Sequence, residues 1–299
     1  MREVRLARPD QLTEIAAFVS SLQADPRHYI AHLEVSAESI EQYLQELPGG
    51  LWYKRTFLAY EDEQLVGSLF YNYNPSRHHR LWLNGPFSTH TDAEGWQQIA
   101  DTLYGLIPNA PTGIEHELFA DIANTNIAEF AARHGFKMLV PAASLVLKRD
   151  GWLRGKDYAP SIGSVRPFDS TFTEQLRQLH LQVFPDTYAR LEQLIQDHLA
   201  GKRTIFIETT DTQLQGYLVV KIDEAAAALI EFLAVAPTAR RLGIGRQLIT
   251  RALQWGFEHP TVPRVHLTVN RENDAAIELY VSLGFTHERT LVAYRKRFG

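Results

Sequence analysis

Leu229–Gly256 reads LIEFLAVAPTARRLGIGRQLITRALQWG. The apolar run from Leu229 to Ala236 ends at Pro237, and from about Gly243 to Trp255 the apolar residues recur at helical spacing, with Leu248, Ile249, Ala252 and Leu253 on one face. The stretch predicts a strand, a loop and a helix. Arg240, Arg241, Gly243 and Gly245 punctuate the loop, so main-chain N–H groups unobstructed by side chains stand where a helix begins. The first turn of any helix leaves N–H groups without acceptors, and two arginines beside them suit a diphosphate. A glycine at such a junction also serves a tight turn, so the loop alone leaves both readings open.

Beyond the helix, RVHLTVN (Arg264–Asn270) predicts a β-branched strand, and the segment from about Asn273 to Ser282, closed by Gly284, a second helix. Arg240-x-x-Gly243-x-Gly245, followed by Asn270, Asn273, Tyr280 and Gly284-Phe285, resembles the GNAT superfamily of acyl-CoA-dependent N-acetyltransferases. The resemblance covers residues from about 163 to 299 well and the first half in outline. It implies an α/β (α+β) fold in which a mixed, mostly antiparallel twisted sheet is flanked by helices. It also implies that the strand ending near Val235 and the strand ending near Asn270 splay apart, with the pantetheine of acetyl-CoA between them. The cofactor contacts it implies are Leu233, Ala234 and Val235 on the strand, Arg240, Arg241, Leu242, Gly243, Ile244, Gly245 and Arg246 around the loop, and Asn270 and Asn273 beyond.

The first half carries the same plan at a fixed offset. Phe57-Leu58 aligns with Phe206-Ile207, Gly67 with Gly216 (216 − 67 = 149), Asn124 with Asn273, and Gly135-Phe136 with Gly284-Phe285 (284 − 135 = 149). A constant offset of this length marks duplication of a whole domain, because short structural repeats have periods of about 20 to 50 residues. The expected organisation is a degenerate copy over 1–150, a linker over 151–162 and a cofactor-binding copy over 163–299, with SLVLKR (Ser144–Arg149) closing the first copy. At the phosphate loop the same offset sets Thr91, Glu94 and Trp96 against Arg240, Gly243 and Gly245, and Ala131 against Tyr280. Bulk and negative charge have replaced the anion seat, so only the second copy is expected to bind cofactor.

Composition narrows the rest. A net charge of −5 without long like-charged blocks argues against a nucleic-acid partner. The absence of cysteine excludes disulfides and a cysteine acyl-enzyme and fits a reducing compartment. Neither a signal peptide nor a membrane-length apolar run is evident, so a cytoplasmic protein with no membrane partner is expected. No metal is expected either: His28 and His32, four apart, lack a third ligand and read as solvated helix residues.

Acyl transfer to an alkylamine of pKa near 10 requires the neutral amine, at a cost of roughly 4 kcal/mol at pH 7 without a base or a desolvated site. Glu231, expected on the same strand face as Leu233 and Val235, reads as that base or as an edge carboxylate solvating a buried strand. Tyr280 reads as the general acid for the departing thiolate or as a core aromatic. Asn273 suits a pantetheine contact or an N-cap, and Asn270 the splay or a strand end. His180 and His198 stay outside the site, with Phe184 and Tyr188 as a candidate acceptor wall. The acceptor itself, a small-molecule or peptide amine, is not specified. A non-catalytic acyl-CoA-binding regulator is the alternative; a P-loop nucleotidase is disfavoured because Arg246-Gln247 follow the second glycine in place of Lys-Ser/Thr.

Overall fold

The computed structural model describes residues 2–74, 79–108, 113–154, 165–185, 187, 189–223 and 225–298. The greater part of the 151–162 linker, Tyr188 and His78 lie outside the described residues. The chain forms two compact units, residues 1–142 with 290–299, and residues 143–289.

In the first unit, β1 (Arg2–Leu6), β2 (Thr56–Glu61), β3 (Gln64–Tyr73), β4 (Arg80–Ser88) and β5 (Glu115–Asp121) lie in that order. All of these neighbours are antiparallel except β4 and β5, which run parallel. Helices α1 (Leu12–Gln23), α2 (Ala37–Gln45), α3 (Ala93–Tyr104) and α4 (Thr125–Arg133) bury their apolar stripes against this sheet around Ile15, Phe70, Trp96 and Phe130. The short β6 (Lys137–Met138) follows α4.

The second unit opens with β7 (Ala142–Lys148) and α5 (Arg149–Arg154). It continues through β8 (Arg166–Pro167), α6 (Thr173–Val183), α7 (Leu191–Leu199), β9 (Thr204–Thr209), β10 (Leu214–Ile222), β11 (Ala228–Val235), α8 (Ile244–Glu258), β12 (Arg264–Asn270) and α9 (Asp274–Ser282). Strand order is β8-β9-β10-β11-β12-β7, with β11 and β12 parallel. The expected mixed, mostly antiparallel α/β sheet is present in each unit. Among the described residues, no helix is long and apolar enough to cross a membrane.

The duplication is visible in contacts as well as in order. A Cβ at Gly67 would collide with Ile99, and one at Gly216 with Leu248 and with the Ala234 carbonyl, so in each unit the helix after the fourth strand presses onto the sheet at the same point. The side chains of Asn124 and Asn273 cap α4 and α9 by accepting from the N–H of Ile127 and Ala276. Each helix ends at a left-handed glycine, Gly135 (φ 72°) and Gly284 (φ 85°), after which the Phe136 and Phe285 N–H groups donate to the carbonyls of Ala131 and Tyr280.

Two features depart from the expected layout. The final strand, β13 (Thr286–Arg297), starts in the second unit, but residues 291–297 pair with β5 in the first, and Tyr294 and Arg295 with β6. There Arg297 Nη2 meets the buried Glu115 at 2.6 Å, and Arg295 Nε meets Glu117 at 2.9 Å. Conversely SLVLKR does not close the first copy. It lies beside β12, and Arg149 donates to the carbonyls of Phe257 and Val262, both at 2.9 Å. Each unit takes the last strand that chain order would give to the other. The second departure is Asp25–Val35, which contains no helix, so His28 and His32 are not solvated helix residues. Here Pro26 interrupts the chain, and the Ala31 N–H donates to Phe119 O while the Asp121 N–H donates to Tyr29 O, a bridge that draws the segment onto β5.

Residues 1–150 and 163–299 expressed as separate pieces should each fail to give a dispersed amide NMR spectrum, because each lacks a strand of its own unit. In the first piece the buried Glu115 and Glu117 keep Arg80 but lose Arg295 and Arg297, which adds to the destabilisation. Co-expression should restore the spectrum.

Candidate functional site

In the second unit β11 and β12 pair only from Ala228–Ile230 to Val265–Leu267. The parting has a local cause. Along β10, Val219 faces Phe232 while Val220 faces Ile230, which leaves Glu231 as an extra residue in β11. An inserted residue bends its strand and increases the twist, and from there β11 stays with β10 as far as Val235 opposite Gly216. The arm from Glu231 to Val235 therefore presents a main-chain edge to a V-shaped opening. At Glu231 the side chain is only 3% exposed although the residue as a whole is not buried, so its open surface is main chain.

The bulge also corrects the expected facing of Glu231. Ala228 and Ile230 pack in the cluster under α8, and so do Leu233 and Val235, whereas Phe232 and Ala234 pack in the cluster of α6 and α7. Strict alternation would put Glu231 with Leu233 and Val235, but the extra residue breaks the period of two. Its carboxylate points to the α7 side, where Arg203 Nε and Nη2 donate to its two oxygens at 2.5 and 3.1 Å. Lys221 stands 3.8 Å away, and Arg203 also grips Asp197 on α7. Arg203, Asp197 and Lys221 were not foreseen; the only sequence signal was a lysine and a glutamate on strands expected to be adjacent.

At the end of β11, a short turn over Pro237–Ala239 leads into the loop, in which Arg241 (φ 67°) and Gly243 (φ 82°) adopt left-handed conformations. Gly243 is the N-cap of α8 and no side chain caps the helix; the first main-chain bond to close is Gln247 N–H to Gly243 O. Main-chain donors of Ile244, Gly245 and Arg246 are thus the orphan groups of a first turn. Arg240, Arg241 and Leu242 are exposed beside them. A Cβ at Gly245 would lie 3.1 Å from Leu279, so this glycine lets the start of α8 sit against α9, an approach fastened by Arg246 Nη2 donating to Ser282 Oγ at 2.6 Å. The expected loop contacts are therefore gathered at one helix end, with Arg246 turned toward α9.

Tyr280 on α9 is 5% exposed and packs edge-on to Phe285 at 5.6 Å. Burial pushes its pKa upward, so the phenol keeps its proton at neutral pH. No hydrogen bond of its hydroxyl is present among the described residues. Asn273 uses its side-chain oxygen as the α9 cap, and Asn270 accepts from the Glu272 N–H at 2.8 Å, so both hold the turn from β12 to α9. His180 is not a surface residue. It is 1% exposed, and its Nδ1 lies 2.5 Å from the Tyr217 hydroxyl while Nε2 lies 3.3 Å from the Ala189 carbonyl, with Phe184 nearby against Phe232.

The first unit shows what the same scaffold does when each of these openings is closed. β4 and β5 also pair over only three residues, Arg80–Trp82 with Glu115–Glu117. In that gap the β4-side edge of β5 is taken by Tyr29–Ala31, through the bonds to Phe119 and Asp121 described above. The α3 N-terminus is capped by its own Asp92, whose carboxylate accepts from the Gly95 N–H at 2.7 Å, and Trp96 is 1% exposed in the core. A carboxylate and a segment of chain occupy the positions that remain open in the second unit.

An uncapped helix start joined to a strand with a free edge defines a unit suited to a phosphate-bearing ligand with an extended tail. Residues 172–285 match the model of the acetyltransferase (GNAT) family. An aminoglycoside N(6')-acetyltransferase type 1 of Salmonella enteritidis is 27% identical over 143 residues, 44% of this chain and 98% of that protein. A spermidine N(1)-acetyltransferase of Vibrio cholerae serotype O1 is 28% identical over 110 residues, 36% of this chain and 64% of that protein. Over the whole chain the fold resembles that of a GCN5-related N-acetyltransferase from Sphaerobacter thermophilus, with TM-score 0.71, 15% identity and coverage of 100% and 96%. It also resembles a tandem GNAT protein from the clavulanic acid biosynthesis pathway, with TM-score 0.64, 15% identity and coverage of 100% and 99%. The second unit thus carries a match to the acetyltransferase (GNAT) family, and the whole chain shares the fold of a tandem GNAT protein.

Asp92→Ala should cost about 1 kcal/mol in urea unfolding through loss of the α3 cap. Because Tyr29–Ala31 still fill the gap, the variant should gain no coenzyme site in the first unit, and calorimetry with acetyl-CoA should return the wild-type stoichiometry.

Proposed function

We propose that the second unit binds acetyl-CoA and transfers its acetyl group to a primary amine by direct attack in a ternary complex. The observation that carries this reading is the continuity of the main-chain edge of Leu233 to Val235, which pairs with no strand on the β12 side among the described residues, with the uncapped N-terminus of α8. The residues fit the coenzyme on their own chemistry. Orphan N–H groups of Ile244 and Gly245, the partial positive charge of the helix start, and the exposed Arg240 and Arg241 suit a diphosphate. Main-chain groups of Leu233, Ala234 and Val235 suit the amides of a pantetheine lying along a strand edge, as in strand addition. Bound there, acetyl-CoA supplies a thioester carbonyl activated for attack by an amine.

Asn273, whose side-chain oxygen is spent on the cap, has its amide N–H groups left to donate, and Asn270 shapes the turn beside it. Tyr280, protonated at neutral pH because it is buried, is the group that would hand a proton to the leaving thiolate. Glu231, locked by Arg203 on the α7 side, is not the base in this reading. The acceptor is a small-molecule or peptide amine, in keeping with the aminoglycoside and spermidine named for the relatives. The first unit, with its gap and helix end closed from within, takes no coenzyme.

Arg240→Ala combined with Gly243→Asp should weaken acetyl-CoA binding by about 100-fold, since charge-assisted bonds of about 1.5 to 3 kcal/mol are lost. Unchanged affinity in calorimetry would remove the loop from the site. Tyr280→Phe should lower turnover about 100-fold and leave the coenzyme Kd within about twofold. A fully active Tyr280→Phe enzyme returns that residue to packing, and tight binding without acetyl-CoA consumption across a broad amine panel would point to a coenzyme-sensing regulator instead.

A further inference from the structure

On β10 the bulge is flanked by the pairs Val220–Ile230 and Val219–Phe232, and the inserted Glu231 also carries side-chain contacts. What holds Glu231 is a charge cluster on the α7 side. Arg203, which leads into β9, has its fork on both Glu231 oxygens at 2.5 and 3.1 Å and also engages Asp197 on α7. Lys221 on β10 completes the set at 3.8 Å. Among the described residues these groups set two carboxylates against two cations. Its members are sheltered, with side-chain exposures of 3% for Glu231, 6% for Asp197, 17% for Arg203 and 22% for Lys221. A two-point guanidinium grip fixes direction as well as distance, which a single contact does not.

The cluster accompanies the open V and is missing where the V is filled. At the offset of 149, Glu231 corresponds to Trp82 (231 − 149 = 82), Asp197 to Pro48 (197 − 149 = 48) and Lys221 to Asn72 (221 − 149 = 72), so although Arg203 corresponds to Lys54 (203 − 149 = 54), both of its carboxylate partners are missing. In the first unit Tyr29–Ala31 supply main-chain bonds inside the gap to β5, the counterpart of β12. In the second, the brace on β11 comes from side chains on the face away from α8, which leaves the edge toward β12 free.

Resting on the coenzyme reading above, we propose that Arg203 is a positioning residue of the second unit. By clamping Glu231 to Asp197 and Lys221 it holds the β11 bulge and sets the spacing of the main-chain groups of Leu233–Val235 that meet the coenzyme. Glu231 is thereby the anchor of the bulge and not a proton acceptor.

Arg203→Met should raise the acetyl-CoA Kd at least about tenfold, and Arg203→Lys, which keeps the charge and loses the fork, should fall between it and wild type. Glu231→Gln retains one acceptor for the fork; its Kd should rise about threefold and the pH dependence of kcat should keep its position. Hydrogen exchange at the amides of Phe232–Val235 should quicken in Arg203→Lys while that of the first unit is unchanged. Wild-type affinity in Arg203→Met, or loss of the acidic limb of the kcat profile in Glu231→Gln, overturns the proposal. If Arg203→Met fails to fold, Kd and exchange in Arg203→Lys and Glu231→Gln test the same clamp, and wild-type values of both overturn it. Wild-type protein that does not bind acetyl-CoA refutes the coenzyme reading alone, and the exchange rates at Phe232–Val235 then decide whether Arg203 holds the bulge.

Discussion

The second unit depends on a single inserted residue. At Glu231 the ladder between β10 and β11 slips, β11 turns away from β12, and the β12-side edge of Leu233–Val235 has no strand partner among the described residues. A free edge normally invites pairing with another chain, and here it stands in an opening that ends at a helix start without a cap. Polar main-chain groups are costly to leave without partners, so the proposed coenzyme, with amides at one end and phosphates at the other, would satisfy both features.

The first unit obeys the same rule by another route. Its β4 and β5 part after three residues, as their counterparts do, yet Tyr29–Ala31 bond to the open edge and Asp92 caps the helix. What is left for a ligand in one copy is satisfied intramolecularly in the other. The two copies keep the same core, since Gly67 against Ile99 and Gly216 against Leu248 preserve the same helix-on-sheet packing.

The exchange of terminal strands adds a covalent dependence between the copies. Buried Glu115 and Glu117 of the first unit draw on Arg295 and Arg297 from the far end of the chain, and carbonyls of the second unit draw on Arg149 from the end of the first copy's sequence. This accounts for a chain that divides by sequence at 151–162 but by contacts at 142 and 290.

The sequence by itself determined the duplication, the strand, loop and helix around Gly243, the caps at Asn124 and Asn273, and the replacement of the loop glycines by Glu94 and Trp96 in the first copy, because each is written in local spacing or in a constant offset. Only the tertiary structure decided which face Glu231 takes, what fills the gap in the first unit, and which unit owns each last strand. The physical reason is the range of the interactions. A period of two cannot reveal an inserted residue, since the bulge exists only against the register of β10. Similarly, the partners of Tyr29, Arg203 and Arg297 are separated from them by stretches of chain that carry no trace of the pairing.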